Sequence, residues 1–339
     1  MKRIQFYTIK SSGGLKVEIS NLGAKVTKLL VANRKGEVKD VVLGFKTAEE
    51  WRTQETYFNA ICGRVANRIK NGEFSLQPSA GSNQPIVYKL PVNNGTNSLH
   101  GGVEGFNAKI WDVVEQSIYE IKLHYRSIDS EEGYPGNLDV WVTYTATKDN
   151  RLVIHYEAKT DKPTIAAFTN HSYFNLAGEG SGRVDEHMLQ VNADAYTPFD
   201  ETACPTGEIL PVAGTMMDFR QPVRIGDRIN DPFFAPGRGI DNNWCLCAAD
   251  APKELRHAAT LQADGRTMEC WTTMKGMQVY TGNYIEQHEG KSGAMYDEQH
   301  AVCLEAQNWP DSINHPDFPN IVLLPGEKLD EITEYRFTC

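Results

Sequence analysis

The stretch LDVWVTYTAT, residues 138–147, puts Leu138, Val140, Val142 and Tyr144 on one side of an extended chain and Asp139, Trp141, Thr143 and Thr145 on the other. A side-chain period of two suits a strand with one buried face and does not suit a helix. The pattern recurs. LKVEIS aligns Leu15, Val17 and Ile19, and the stretches RLVIHYEAK, MQVYTGNYI and IVLLPGE read the same way. Between such runs lie SSGG, KNGE, NNGT, EEGYPGN and APGRG, rich in the residues that tight reversals need. Helical periodicity is scarce. The clearest helix start is TAEEW, where Thr47 and Glu50 have capping-box spacing. No internal repeat, low-complexity tract or linker-like shift of composition divides the 339 residues. The expectation is an all-β chain, one domain over residues 1–339, built as a large antiparallel β-sandwich with few short helices.

Composition narrows the partners. The formal net charge is -10, and no Lys/Arg run supplies the basic face that a phosphate backbone demands, so nucleic acid is excluded. No stretch approaches the roughly eighteen apolar residues of a membrane span. The N-terminal MKRIQFYTIKSSGG is basic but lacks the hydrophobic core of a signal peptide. Seven cysteines, with only Cys245 and Cys247 close together, make neither a disulfide framework nor a CxxC pair. Reduced, buried thiols in a cytoplasmic protein are expected. The motifs GxGxxG, GxxxxGK[ST] and HExxH do not occur, so neither nucleotide chemistry nor metallohydrolysis has a sequence signal.

Polar clusters interrupt the alternation at five places. CGRVANRIKNG carries Arg64, Asn67 and Arg68; NNGTNSLHGG carries Asn97 and His100; FTNHSYFNLAG carries His171 among Thr169, Asn170 and Ser172; RGIDNNW carries Asp241; VCLEAQNWPD carries Glu305. Aromatic residues accompany several: Phe106, Tyr173, Phe174, Trp244 and Trp309. Most of these have an ordinary alternative. Arg64 and Arg68 could be surface ion-pair formers, His100 a turn residue, and Asp241 an Asx cap. Glu305 differs, because Val302, Cys303, Leu304 and Ala306 around it read as buried, and a buried carboxylate needs a partner or a task. A His, a Glu and aromatic-flanked polar groups suit acid/base chemistry on a sugar, or passive sugar binding.

Four of these stretches, GRVANRI at 63–69, NSLHGG at 97–102, NHSYFNLAG at 170–178 and CLEAQNWPD at 303–311, stand in an order that resembles the aldose 1-epimerase (galactose mutarotase) family. Supporting stretches are GYPGNL at 133–138, TGNYI at 281–285 and FPNIVLLPGE at 318–327, so the resemblance runs nearly end to end. It implies a β-sandwich acting without metal or organic cofactor on a free monosaccharide, as a monomer or homodimer. Carried over residue by residue, it implies His171 as proton donor and Glu305 as general base. Asn67, Arg68, His100, Asp241 and Gln278 would contact sugar hydroxyls, with Ser172 and Tyr173 nearby. Two positions depart from the family pattern: Asn242 stands where a histidine is common, and Leu329 where an aromatic is usual.

Anomer exchange explains the residue types. Opening a hemiacetal removes the C1 hydroxyl proton and protonates the ring oxygen, and a carboxylate and an imidazolium perform the two transfers. In this reading activity rises as Glu305 ionises and falls as His171 loses its proton. The alternatives are a non-catalytic sugar-binding protein and a sugar-phosphate 1-epimerase. The second needs several cations beside the sugar 6-position.

Overall fold

Leu138–Ala146 is a strand whose burial alternates residue by residue, and so does most of its antiparallel neighbour, Arg151–Thr160. The computed structural model describes residues 3–54, 57–77 and 84–338. These two strands lie within a nine-stranded sheet that runs, in spatial order, Asp112–Gln116, Glu120–Ser127, Leu138–Ala146, Arg151–Thr160, Leu329–Thr338, Arg266–Thr272, Arg256–Ala263, Met188–Val191 and Val223–Arg224. Facing it is a six-stranded sheet ordered Tyr173–Phe174, Val302–Gln307, Gly276–Tyr280, Asp241–Cys245, Ala195–Thr197 and Leu210–Pro211. The first forty residues add a four-stranded meander starting at Phe6–Lys10. Pairing within all three is antiparallel. One apolar cluster joins them: Val17 and Val26 from the meander, Val140 and Ile154 from the large sheet, and Val279, Val302 and Leu304 from the six-stranded one. Each fully buried Val, Leu or Ile stabilises by roughly 1.5–3 kcal/mol, so the shared core makes the sheets one sandwich.

The TAEEW expectation is met. Ala48–Thr53 is the one α-helix among the described residues; Thr47 Oγ1 accepts from the Glu50 N–H at 3.2 Å, and Glu50 Oε2 accepts from the Thr47 N–H at 2.7 Å. Among the described residues no helix is long and apolar enough to cross a membrane. Two strand expectations change. In MQVYTGNYI the strand ends at Tyr280, and every residue of Gly276–Tyr280 is buried. IVLLPGE yields only Val322–Leu323, paired with Thr164–Ile165. Gly276–Tyr280 is an inner strand covered on both faces. Its period of two therefore shows in chemistry rather than exposure. Cys62, Cys204, Cys245, Cys270 and Cys303 are buried and unbridged, Cys247 is half-buried, and Cys339 lies outside the described residues.

Arg64 is neither a surface residue nor a cavity residue. It is 1% exposed. Its guanidinium donates to the Pro135 carbonyl at 2.8 Å, the Ser127 hydroxyl at 2.7 Å, the Ile128 carbonyl at 3.1 Å and the Thr164 hydroxyl at 3.3 Å, and lies 5.6 Å from the centre of the Tyr134 ring. It pins the loop around residues 127–135 to the sandwich. Replacing Arg64 with Met is expected to cost about 3 kcal/mol, because acceptors are left unpaired in the interior. Urea unfolding measures this.

Candidate active site

The inner strands of the six-stranded sheet have one face in the core and one face that is polar. Register across three strands sets Glu305 opposite Gln278 and Gln278 opposite Asn243, with Cys303, Tyr280 and Asp241 in the adjoining row. Because side chains two apart share a face, these rows form a polar floor beside the apolar core. Gln278 Nε2 donates to Asp241 Oδ1 at 2.6 Å, tying the rows together.

His171 reaches that floor from a crossing of the chain. Thr169 pairs with Cys62 and Tyr173 pairs with Cys303, so residues 169–173 pass from one strand partner to another with His171 midway. Its N–H donates to the Ala60 carbonyl at 2.9 Å and its carbonyl accepts from the Asn59 N–H at 3.0 Å. The side-chain carbonyl of Asn59 accepts from the Tyr173 N–H at 2.9 Å. Held this way, His171 Nε2 lies 3.5 Å from Glu305 Oε1, and the two side chains are 6% and 2% exposed.

His100 sits in the left-handed region at φ 50°, followed by Gly101 at φ 94°. A Cβ on Gly101 would lie 1.9 Å from the Gly63 carbonyl oxygen, so only glycine fits. The His100 N–H donates to the Asn67 carbonyl at 2.9 Å, and the Asn67 N–H donates to His100 Nδ1 at 3.1 Å. That second bond makes Nδ1 an acceptor and places the ring proton on Nε2. Arg68 donates from Nε to Asn94 Oδ1 at 2.9 Å.

These groups line a cavity of about 570 Å³, within the usual range for small-molecule sites. Asn67, Arg68, His100, His171, Tyr173, Asp241, Gln278 and Glu305 are all on its wall. Ser172 is not: its buried hydroxyl donates to Asn170 Oδ1 at 2.6 Å. Phe106, Phe174 and Trp244 pack in the main core, and Trp309 packs with Phe318. Sequence reasoning missed Tyr57, Tyr280 and the rim residues Asn94 and Thr202. Tyr280 had a usable signal, two residues beyond Gln278 on the same strand face. Tyr57 had none.

Burial governs the electrostatics. It raises the Glu305 carboxyl well above its ordinary range, with nearby Asp241 adding to the effect and Arg68 opposing it. Burial likewise lowers His171 to about 4. His100 is pushed well below its usual value by burial, then by His171 and Arg68, and so is neutral. Burial also raises Asp241, against Arg68 and the Gln278 hydrogen bond. Arg68 is the one Lys or Arg on the wall among the described residues. Arg64 is spent elsewhere, and Lys70 pairs with Asp200 at 2.7 Å.

One atom each from His100, His171 and Glu305 lie within 4.8 Å of one another, a donor set that zinc accepts. The His100 tautomer argues against such an ion. With Nδ1 accepting from Asn67, the remaining ring nitrogen carries a proton and has no lone pair to give.

An imidazole facing a buried carboxylate, in a cavity lined by polar side chains within a β-sandwich, is an arrangement able to give and take protons. The family model described as aldose 1-epimerase matches residues 5–336, and the chain belongs to that family. It is 44% identical to the galactose mutarotase of Mus musculus and 42% to that of Homo sapiens, over 96% of this chain and 92% and 91% of those proteins. It is 33% identical to the aldose 1-epimerase of Escherichia coli strain K12, over 97% of this chain and 94% of that one. The solved aldose epimerase homologue from C. elegans superposes with a TM-score of 0.89 at 29% identity, covering 99% of both chains.

Exhaustive chelation is expected to leave anomer interconversion unchanged. A loss of rate that a divalent ion restores would mean that His100, His171 and Glu305 hold a metal.

Proposed function

We propose that the protein is an aldose 1-epimerase that interconverts the α and β anomers of free hexoses such as galactose and glucose. Glu305 acts as general base and His171 as general acid. The observation that carries the reading is the 3.5 Å approach of His171 Nε2 to Glu305 Oε1 at the cavity floor. From the closed ring, Glu305 takes the C1 hydroxyl proton while His171 protonates the ring oxygen, and the C1–ring-oxygen bond breaks to give the open aldehyde. Rotation about C1–C2 presents the other carbonyl face. Closure returns both protons, so no net proton or electron is exchanged. Asn67, Arg68, His100, Asp241 and Gln278 hold hydroxyls, and Tyr173 forms part of the wall.

The depth of the pair supports this sequence of events. Ring opening converts an ion pair into a protonated carboxyl and a neutral imidazole, and a dry site favours that neutral state. The charge balance weighs against a sugar phosphate, since Arg68 stands against Glu305, Asp241 and rim Glu201. The facing acid and base weigh against a silent binding protein. The family match over residues 5–336 supports one domain, and the unbridged cysteines support a cytoplasmic setting.

Polarimetry on freshly dissolved α-galactose and α-glucose tests the activity. Glu305→Gln is expected to slow conversion by about 10²–10⁴-fold with sugar binding largely retained. Near-normal turnover would remove Glu305 from the mechanism. The pH profile of kcat/KM is expected to be bell-shaped, but burial exchanges the limbs that sequence reasoning assigns. With His171 lowered to about 4 and Glu305 raised, the acid limb belongs chiefly to His171 and the alkaline limb to Glu305. The productive ion pair is the minor one-proton form between them. His171→Asn should therefore turn the bell into a single rise as Glu305 ionises, with no fall at high pH. Persistence of the alkaline fall would point to a different donor.

A further inference from the structure

His171 is enclosed by four rings. Tyr173 lies nearly parallel to the imidazole, 5.0 Å between centres with 13° between planes, and Tyr57 lies 6.2 Å away at 17°. His100 and Tyr280 present edges at 5.2 Å and 6.0 Å. Tyr173 and Tyr280 belong to the six-stranded sheet, whereas Tyr57 comes from a separate segment of the cavity wall. Tyr57 also lies 4.7 Å from the His100 ring. Its hydroxyl accepts from Asn93 Nδ2 at 3.5 Å, at the limit of a hydrogen bond. Asn93 in turn shapes the His100 turn, accepting from the Leu99 N–H at 2.7 Å and donating to the Leu99 and Gly102 carbonyls.

We propose that Tyr57 is a positioning residue for His171: together with Tyr173 it presents ring faces to the imidazole, fixing its plane and stabilising its cationic form. This rests on the reading of His171 as the acid. The cation needs such help. His171 Nδ1 is buried with no well-formed hydrogen bond among the described residues, and only its own backbone favours the charged ring, against the burial that opposes it. The groups around it are Glu305 on the neighbouring strand, neutral His100, the tyrosines 57, 173 and 280, and, lining the same cavity, Asp241 and Arg68. The thiols of Cys62 and Cys303 lie close to Glu305. Among the described residues Glu305 is the one acidic group within ion-pair distance of His171, and the reaction removes its charge. An aromatic face attracts a cation through its quadrupole and titrates out of range, so it serves throughout the cycle. The low value toward which burial drives His171 agrees with this need.

The test compares wild type, Tyr57→Phe and Tyr57→Leu by the pH profile of kcat/KM, by ¹⁵N NMR titration of the imidazoles, and by urea unfolding to confirm equal stability. Leucine has no ring face to offer the cation, and removing a desolvated cation–π interaction is expected to lower His171 by about one pH unit, which is about tenfold in the fraction of productive ion pair. Tyr57→Leu should thus lose about tenfold in plateau kcat/KM and move its acid limb downward, while Tyr57→Phe keeps both. A raised KM with an unmoved limb would make Tyr57 a sugar wall and overturn the proposal, as would Phe proving as damaging as Leu. The NMR titration separates this from the acid assignment. A His171 resonance that titrates lower in Tyr57→Leu upholds the brace even if His171→Asn stayed active, and an unmoved titration sinks it.

Discussion

Taking an imidazole and a carboxylate out of water together is the constraint around which this site is arranged. Neither ion is well compensated. Glu305 Oε2 and His171 Nδ1 have no hydrogen-bond partner among the described residues, and neither do Asn243 Oδ1 and both amide atoms of Gln307 on the same sheet face. A fully satisfied floor would be more stable, since an unpaired buried polar group costs on the order of 1–3 kcal/mol. A polyol brings many donors and acceptors, so the cost carried by the free protein becomes affinity and reactivity when a sugar binds. Burial biases the pair toward a protonated carboxyl and a neutral imidazole, the state that ring opening produces.

Much of the surrounding sequence serves to hold that arrangement without touching it. Asp311, in the NWPD stretch, donates its N–H to the Arg68 carbonyl at 3.0 Å and accepts from the Lys70 N–H at 3.1 Å, which fixes the backbone on either side of Ile69. Asn97, fully buried, accepts from the Asn71 N–H at 3.0 Å and donates to the Thr202 carbonyl at 2.9 Å, anchoring the cavity rim. Asn59 clamps both sides of His171. The motifs therefore mix residues that line the cavity with residues that place them, and Arg64 belongs to the second group although it stands in the same stretch as Asn67 and Arg68.

Membership in the aldose 1-epimerase family accounts for the conjunction of sandwich, histidine and carboxylate. The particular balance of this chain comes from its own lining. Among the described wall residues one guanidinium stands with three acidic side chains, Nδ1 of His100 accepts from the Asn67 N–H, and tyrosine rings surround the His171 imidazole.

By itself the sequence determined the strands of the large sheet, because LDVWVTYTAT and RLVIHYEAK have one wet face and their apolar period is visible in the letters. It determined the Thr47–Glu50 cap, whose interaction is local. It also determined that His171 and Glu305 are unusual, because polar groups crowd the first and apolar ones the second. Tertiary structure decided what no local pattern carries. Inner strands such as Gly276–Tyr280 are buried on both faces, so alternation no longer reports exposure. The 134 positions separating His171 from Glu305 close to 3.5 Å only through the pairing of Tyr173 with Cys303. Ser172 turned away to Asn170, and Tyr57 arrived from a stretch with no polar cluster to mark it. Above all, the direction in which Glu305 and His171 titrate is a property of the water excluded around them, and that exclusion exists only once the sheets have packed.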